Sequence, residues 1–314
     1  MTQITITGIP HNSRMKNGWT GGAYSMIRAL LGLRALWIVV AALVAGDTLL
    51  HPGVAVALIG AAIQLIIGWG DRIGALMIAF VFLATFGDPL IGGLAILHLT
   101  LPSKPYGSLA ARGRPDPGGG WSWPARHRAV WFWMGLTWIG YAIYDVATGL
   151  SLGAFGEIWI PMTLWFLLWF DPGWIPPKRA EEKEHLFYDG HCGLCHRAIR
   201  FLLAEDRIDS FVFAPLAGDT FRSLVPEECA EDLPDSVIVR TSAGKLLVRS
   251  SATLHTLRRL GGYWRVLGTV FMLVPRPLRD TAYNFIASIR YRVWGKTPEA
   301  CPVIPEALRG RFRA

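Results

Sequence analysis

Long apolar segments alternate with short polar turns through the first half of the chain. A helix needs about 20 mostly apolar residues to cross a lipid bilayer, and the segments are close to that length. They occupy residues 26–50, 53–70, 73–101, 129–150 and 151–170. The pattern predicts an α-helical polytopic membrane domain of five or six helices over residues 26–172, preceded by an N-terminal tail at residues 1–25.

The segment 73–101 is longer than one ordinary span and carries a break in its middle. The break is Gly87-Asp88-Pro89, and a proline inside a helix removes a backbone donor and ends or kinks the helix. The segment therefore predicts two short helices, or a hairpin that enters the membrane and returns to the same side.

Among the connections between the apolar segments, lysine and arginine occur only at alternate ones. They occur in the N-terminal tail, in the turn at Arg72, in the loop 102–128, and after the last segment at Lys178 and Arg179. Basic connections of this kind face the cytoplasm. The distribution predicts a multi-pass protein of the cell inner membrane whose C-terminal domain is cytoplasmic.

Several polar residues lie inside the apolar segments, where ionisable groups often mark functional sites. They are Arg34, Asp47, Gln64, His98 and Asp145. We expect Arg34 and Asp47 to reach opposite membrane surfaces and Asp145 to cap a helix, because all three are near predicted helix ends. The hydropathy of this region resembles that of DoxX-like small membrane proteins.

The pattern changes to that of a soluble α/β domain after residue 172. Residues 173–184 combine prolines with a short charged run, which is typical of a linker. The remainder, residues 185–314, alternates strand-like and helix-like periodicities. Predicted strands cover residues 185–188, 210–216, 236–241 and 245–250, and predicted helices cover residues 192–205, 221–230 and 251–260. The order β-α-β-α-β-β-α is that of a thioredoxin-like domain.

Short sequence patterns predict a turn, a helix cap and two further helices in this domain. Ser242-Ala243-Gly244 predicts a hairpin turn between the last two strands, and Ser251 is the expected N-cap of the helix that follows. Two further apolar, arginine-containing helices are predicted near residues 263–273 and 278–292. We expect them to pack on the domain or to lie on the membrane surface.

Composition narrows the class of partner. Hydrophobic residues make up 52% of the chain and charged residues 17%, whereas about 25% charged residues is usual in soluble domains. The net charge of +8 suits an anionic lipid surface. The arginines form no stripe interleaved with aromatic residues, so nucleic-acid binding is not predicted. The four cysteines are too few for a disulfide scaffold, and none lies in the membrane region, which therefore cannot relay electrons through thiols.

Two cysteines separated by two residues open the predicted helix 192–205. The unpaired amides and partial positive charge of a helix N-terminus stabilise a thiolate, which makes Cys192 the expected attacking nucleophile. Cys195 follows one helical turn later, and this spacing meets the Cα separation of about 4.4–6.8 Å that a disulfide requires. The pair is suited to thiol-disulfide exchange, in which Cys195 resolves a mixed disulfide at Cys192.

The stretch Tyr188-Asp189-Gly190-x-Cys192-x-Leu194-Cys195 resembles the signature of the DCC-type thiol-disulfide oxidoreductases. The resemblance extends over residues 185–313 and includes Tyr283 and Arg290-Tyr291-Arg292. It implies a thioredoxin-like fold and a redox activity that uses the cysteine pair without another cofactor. The resemblance does not supply a partner; from the chemistry of the cysteine pair we expect a protein or a small molecule that carries a thiol or a disulfide.

The residues around the cysteines are expected to support this chemistry. Asp189 either tunes the Cys192 thiolate and accepts a proton, or forms an Asp-Gly turn with Gly190 and caps the helix. A protonated His196 would favour the thiolate, whereas the alternative is an ordinary solvated helix residue. Tyr188 ends the strand that leads into the motif.

Three other interpretations of the motif stay open. Cys192-x-x-Cys195-His196 also matches the attachment motif of c-type haem, which would make the domain an electron carrier. The cysteines could bind zinc with the adjacent histidines, although structural zinc usually draws on two separated ligand pairs. The domain could also be a non-catalytic membrane adaptor. The remaining thiols, Cys229 and Cys301, are expected to be structural, since buried free cysteines are usually inert.

Overall fold

The computed structural model shows a helical N-terminal region followed by a domain built on a small β-sheet. It describes residues 18–46, 50–86, 88–124, 163–164, 166–178, 182–230, 233, 236–296 and 306–313, together with residues 132, 136, 139, 140, 143 and 147.

The N-terminal region begins with helices that match the predicted segments. They are α1 (Gly21–Val44), α2 (Pro52–Ile67), α3 (Asp71–Ala84) and α4 (Pro89–Thr100). Helix α1 starts earlier than the expected boundary at residue 26, because Thr20 acts as its N-cap and accepts a hydrogen bond from the Ala23 amide at 3.3 Å. The predicted break is confirmed as two short helices. Asp88 caps the second of them by accepting a hydrogen bond from the Leu90 amide at 2.8 Å.

Among the described residues, α1 is the one helix long and apolar enough to cross a membrane, with a mean hydropathy of 2.1. Helices α2 and α4 are apolar but shorter. The predicted segments 129–150 and 151–170 lie outside the described residues except at single positions and at residues 163–164 and 166–170. The multi-pass topology and the DoxX-like resemblance therefore stay predictions.

Polar groups inside the helical region are buried together instead of reaching its surfaces. The prediction for Arg34 is wrong, because its side chain is only 9% exposed and lies within the bundle. The Nδ1 atom of His98 lies 2.5 Å from the Tyr24 hydroxyl, and its Nε2 lies 3.4 Å from the Asp71 carboxylate. Asp47 and Asp145 fall outside the described residues.

The C-terminal domain contains a four-stranded sheet of order β2-β1-β3-β4. The strands are β1 (Glu184–Tyr188), β2 (Phe211–Pro215), β3 (Ile238–Arg240) and β4 (Leu246–Val248). Strand β1 runs parallel to β2 and antiparallel to β3, which pairs antiparallel with β4. The central strand β1 is buried at four of its five positions and ends in Leu186, Phe187 and Tyr188, as expected of a strand covered on both faces.

The helices of this domain follow the predicted order with local differences. They are α5 (Gly193–Glu205), α6 (Asp219–Leu224), α7 (Glu227–Ala230), α8 (Arg249–Leu260), α9 (Gly262–Phe271), α10 (Arg276–Trp294) and α11 (Glu306–Arg309). The predicted helix 221–230 is divided into α6 and α7, because Pro226 cannot continue it. Helix α8 starts at Arg249 with Val248 as its N-cap, so the predicted Ser251 cap is wrong. The hairpin turn at Gly244 is confirmed by its amide, which donates to the Thr241 carbonyl at 2.8 Å.

Helices α9 and α10 pack on the domain, which is one of the two predicted positions. In α9, a Cβ at Gly268 would lie 2.9 Å from the Arg258 side chain and 3.1 Å from the Leu254 carbonyl, so the glycine permits close packing against α8. In α10, the Tyr283 hydroxyl accepts a hydrogen bond from the Val237 amide at 3.0 Å. Helix α10 therefore reaches the end of the sheet where β1 leads into α5.

The two parts of the chain meet at Glu205, the last residue of α5, whose side chain is 0% exposed. Its carboxylate accepts hydrogen bonds from the Gly22 amide at 2.9 Å, from Trp264 Nε1 at 2.6 Å and from the Thr20 hydroxyl. Since Thr20 and Gly22 begin α1, the carboxylate lies at the positive end of that helix dipole. Burial raises the pKa of Glu205, although these hydrogen bonds lower it.

A second contact fixes the linker against both parts. The Tyr263 hydroxyl donates to the carbonyls of Leu167 and, at 3.2 Å, of Phe170. The Gly262 amide donates to the Ile175 carbonyl at 2.7 Å. The start of α9 is therefore held at the end of the helical region.

Replacing Glu205 with alanine should loosen this interface. It leaves the Gly22 amide, the Thr20 hydroxyl and Trp264 without their buried acceptor, and each lost acceptor costs about 1–3 kcal/mol. We expect the amide of Gly22 to exchange with deuterium at least about tenfold faster than in the unmodified chain. Glu205→Gln keeps an acceptor oxygen and should show a smaller increase. Equal exchange in all three proteins would contradict the role of this carboxylate.

Candidate active site

The site lies in the turn between the end of β1 and the start of α5. Tyr188 ends β1 in the core, and the Asp189 side chain closes the next turn by accepting a hydrogen bond from the His191 amide at 2.9 Å. Cys192 is the N-cap of α5, and its Sγ accepts a hydrogen bond from the Cys195 amide at 3.4 Å. Of the two roles considered for Asp189, helix capping is therefore wrong, because the sulfur of Cys192 occupies that position.

The two cysteine side chains have different environments. Both are free thiols, but Cys192 is 0% exposed whereas Cys195 is partly exposed. Burial raises the pKa of the Cys195 thiol to about 12, and the neighbouring Cys192 sulfur acts in the same direction. Because the thiolate is the reactive form, Cys195 is an unreactive thiol in the resting molecule at neutral pH.

The start of α5 is contacted by the residues that end α10 and follow it, 294–296, which we name the strap. Lys296 pairs with Cys192 in an isolated antiparallel bridge. The Gly193 amide donates to the Gly295 carbonyl at 3.2 Å. The strap therefore takes up one of the amides that the start of α5 leaves without an acceptor.

Asp189 is bound by the last turns of α10. Its Oδ2 accepts hydrogen bonds from the Tyr291 hydroxyl and, at 3.3 Å, from Arg290 Nη2. Partial burial would raise the pKa of Asp189, but the bonds from Tyr291 and His191 and the charge of Arg290 hold it below its ordinary value. The bond to Asp189 raises the pKa of the Tyr291 hydroxyl. Asp189 is therefore a carboxylate at neutral pH, with a buried guanidinium beside it.

His196 closes the turn from the other side. Its Nε2 lies 2.7 Å from the Gly190 carbonyl, and since a carbonyl only accepts, Nε2 carries the hydrogen. The expectation of an ordinary solvated residue is therefore wrong, while an effect of His196 on the thiolate stays a prediction. In the described part of the chain, no three His, Cys, Asp or Glu side chains are grouped closely enough to hold a metal ion.

The structure brings together all the predicted site residues and adds three more. Asp189, Gly190, Cys192, Cys195 and His196 form one turn and the start of one helix, next to Tyr188. The additions from α10 are Tyr283, Arg290 and Tyr291. They lie far along the chain, so no local spacing connects them to the cysteines, and the family resemblance was the one signal that marked them. Cys301 and the side chain of Cys229 fall outside the described residues.

The protonated state of Cys195 can be tested by alkylation. In a Cys192→Ser variant, we expect Cys195 to react with iodoacetamide at pH 7 at least about tenfold more slowly than free cysteine, because each unit of raised pKa lowers the thiolate fraction tenfold. The rate should still rise above pH 9, and mass spectrometry of the Cys195 peptide measures it. A plateau near pH 9 would contradict the raised pKa.

Comparisons with known proteins identify relatives of the C-terminal domain. The family model of DCC1-like thiol-disulfide oxidoreductases matches residues 186–296. The uncharacterised protein YuxK of Bacillus subtilis is 34% identical over 128 residues, which cover 40% of this chain and 91% of YuxK. A chloroplastic DCC family protein of Arabidopsis thaliana is 23% identical over 119 residues, which cover 37% of this chain and 68% of the plant protein. No solved structure matches the chain.

The matched residues are those that build the site. They include the turn at Asp189, both cysteines at the start of α5, and the residues of α10 that bind Asp189. The chain therefore belongs to the DCC1-like thiol-disulfide oxidoreductase family.

Proposed function

We propose that this chain is a membrane-anchored thiol-disulfide oxidoreductase in which Cys192 attacks and Cys195 resolves. The observation that carries the proposal is the position of Cys192 Sγ, which caps α5 and accepts the Cys195 amide at 3.4 Å. A sulfur in this position lies at the positive end of the helix dipole, next to backbone amides. Membership of the DCC1-like family supports the same chemistry.

The exchange conserves atoms and electrons. The Cys192 thiolate attacks one sulfur of a partner disulfide, a new S–S bond joins Cys192 to the partner, and the other partner sulfur leaves as a thiolate that takes up a proton. Cys195 then loses its proton and attacks the Cys192 sulfur, which releases the second partner thiol. The partner gains two electrons and two protons, and Cys192 and Cys195 become a disulfide. The reverse sequence oxidises a partner dithiol.

Asp189 assists through its fixed negative charge. Burial and the Cys192 sulfur are the larger causes of the raised pKa of Cys195, and the charge of Asp189 acts in the same direction, although the backbone hydrogen bond of Asp189 acts against it. The raised pKa lets Cys195 keep its proton until Cys192 is bonded to a partner. The charge stays in place because Tyr291 and Arg290 bind the carboxylate. Gly190 and His196 support the turn that presents Cys192, as the bond of His196 Nε2 to the Gly190 carbonyl indicates.

The N-terminal region provides the membrane anchor. Helix α1 is long and apolar enough to span a bilayer, and we propose that the helices after it cross or enter the same membrane as a multi-pass domain. We propose that the C-terminal domain lies on the cytoplasmic side, and the distribution of basic residues among the connections supports this orientation. The partner is then a cytoplasmic protein or small molecule that carries a thiol or a disulfide.

Trapping of mixed disulfides tests the redox assignment. In a Cys195→Ser variant, we expect partners to accumulate in disulfide linkage to Cys192, because the resolving thiol is absent. Non-reducing electrophoresis and mass spectrometry identify the adducts. Cys192→Ser, expressed in the same way, is the matched control and should yield none. If Cys195→Ser traps no adduct and Cys192 reacts with no disulfide, the zinc or adaptor interpretation gains support and the redox proposal fails.

Membrane extraction and protease access test the anchor. We expect the chain to remain with the membranes after washing with alkaline carbonate, because apolar helices leave a bilayer only when it is dissolved. Protease added to intact spheroplasts should spare the C-terminal domain and should cleave it after lysis. Release of the chain by carbonate would contradict the anchor, and cleavage in intact spheroplasts would reverse the proposed orientation.

A further inference from the structure

The nucleophile of the proposed function is closed off from solvent by the molecule itself. Cys192 is 0% exposed, and its main chain pairs with Lys296 of the strap in an antiparallel bridge. A sulfur must be approached along the line of the bond that it forms, so a partner disulfide cannot reach Cys192 in this arrangement. Part of the molecule has to move before the first exchange step, and the strap is a segment from a distant part of the chain that contacts this helix start.

The strap touches α5 at a glycine, and the contact is close. A Cβ at Gly193 would lie 2.3 Å from the Trp294 carbonyl oxygen, nearer than any side chain tolerates. Gly295 has a φ of 75°, a left-handed conformation in which glycine is favoured, and this turns the chain from α10 into the strap. The glycines at 193 and 295 therefore allow the main chains of α5 and the strap to come into this contact.

One carboxylate holds the end of α10 that leads into the strap. Tyr291 and Arg290 both bind Oδ2 of Asp189, on the turn just before Cys192. Arg290 is buried and lies 4.6 Å from the Tyr291 ring centre, and Lys296 Nζ lies 5.0 Å from the same ring. The bonds to Asp189 therefore fix α10 within a few residues of the strap.

Opening of the strap changes what the site requires of a partner. It removes the Gly295 carbonyl from the Gly193 amide, and an exposed helix N-terminus then needs a new acceptor. An extended polypeptide can supply a main-chain carbonyl at this edge, as in strand addition, whereas a small disulfide supplies none. The closed strap therefore occupies the position of such a polypeptide.

We propose that Tyr291 and Arg290 are positioning residues that act through Asp189 to keep the strap closed over Cys192, and that the strap yields to a disulfide carried on an extended polypeptide. The proposal rests on the proposed function in one respect, that Cys192 is the thiol partners must reach. Access to Cys192 is a separate property from exchange, so the two can fail independently.

Alkylation of Cys192 tests the closed strap without any disulfide exchange. In a Cys195→Ser parent, Tyr291→Phe and Arg290→Gln should each raise the rate at which iodoacetamide modifies Cys192 by at least about tenfold, since each removes a hydrogen bond to a charged group. Arg292→Gln, on the neighbouring exposed residue of α10, is the matched control and should leave the rate unchanged. Mass spectrometry reads each cysteine separately, and the increase should be selective for Cys192 over Cys229 and Cys301.

Equal reactivity of Cys192 in the parent and in both variants would overturn the positioning role, as would a parent rate equal to that of free cysteine. A parallel increase at all cysteines would also overturn it, because general unfolding then explains the result. If a variant at α10 fails to fold, Gly193→Ala provides a second test. Its Cβ displaces the strap but leaves the bonds to Asp189 in place. It should raise the Cys192 rate in the same way.

The class of partner is tested by comparing the rates at which Cys192 reacts with two disulfides. The Cys195→Ser parent should form a mixed disulfide faster with a cystine-linked peptide than with bis(2-hydroxyethyl) disulfide. Tyr291→Phe should raise the rate with the small reagent more than the rate with the peptide, so the ratio of the peptide rate to the small-reagent rate should fall. Equal rates for both reagents in the parent would overturn the polypeptide preference. If the alkylation rates change as expected but neither disulfide reacts, the closing of the strap over Cys192 is supported and the redox function is contradicted.

Discussion

The first amide groups of α5 have no acceptor within their own helix, as at every helix N-terminus, and the site is built around this deficit. Cys192 Sγ takes the Cys195 amide, and the Gly295 carbonyl takes the Gly193 amide. The first of these bonds fixes the sulfur of Cys192 at the positive end of the helix. The second brings the chain after α10 against the start of α5. One requirement of backbone chemistry thus positions both the sulfur and the strap.

The other end of the same helix is fixed to the N-terminal region. Glu205 offers its carboxylate to the first amides of α1, where α1 in turn lacks acceptors. With 13 residues at 1.5 Å each, α5 separates this contact from Cys192 by about 20 Å. The cysteines therefore lie at the end of α5 remote from its contact with the helical region. The chain has no cysteine before Cys192, so the helical region offers no thiol of its own.

The tertiary contacts of Asp189 differ from those that its position next to the cysteines suggests. Next to two cysteines it suggests a base or a helix cap, but its two oxygens are used by the His191 amide and by Tyr291 and Arg290. A carboxylate bound in this way keeps its charge at neutral pH. It also connects α10 to the turn that leads into the two cysteines.

The sequence by itself determined the elements, because strands, helices and breaks depend on neighbouring residues. The periodicity of α5, the break before Pro89 and the turn at Gly244 were all predictable from local patterns. Only the tertiary structure decided which groups surround the cysteines, because these contacts join distant parts of the chain. The bond between Tyr291 and Asp189 spans 102 residues, and the burial of Cys192 depends on where α10 ends. Neither has a local signature, since both follow from how the packed elements meet.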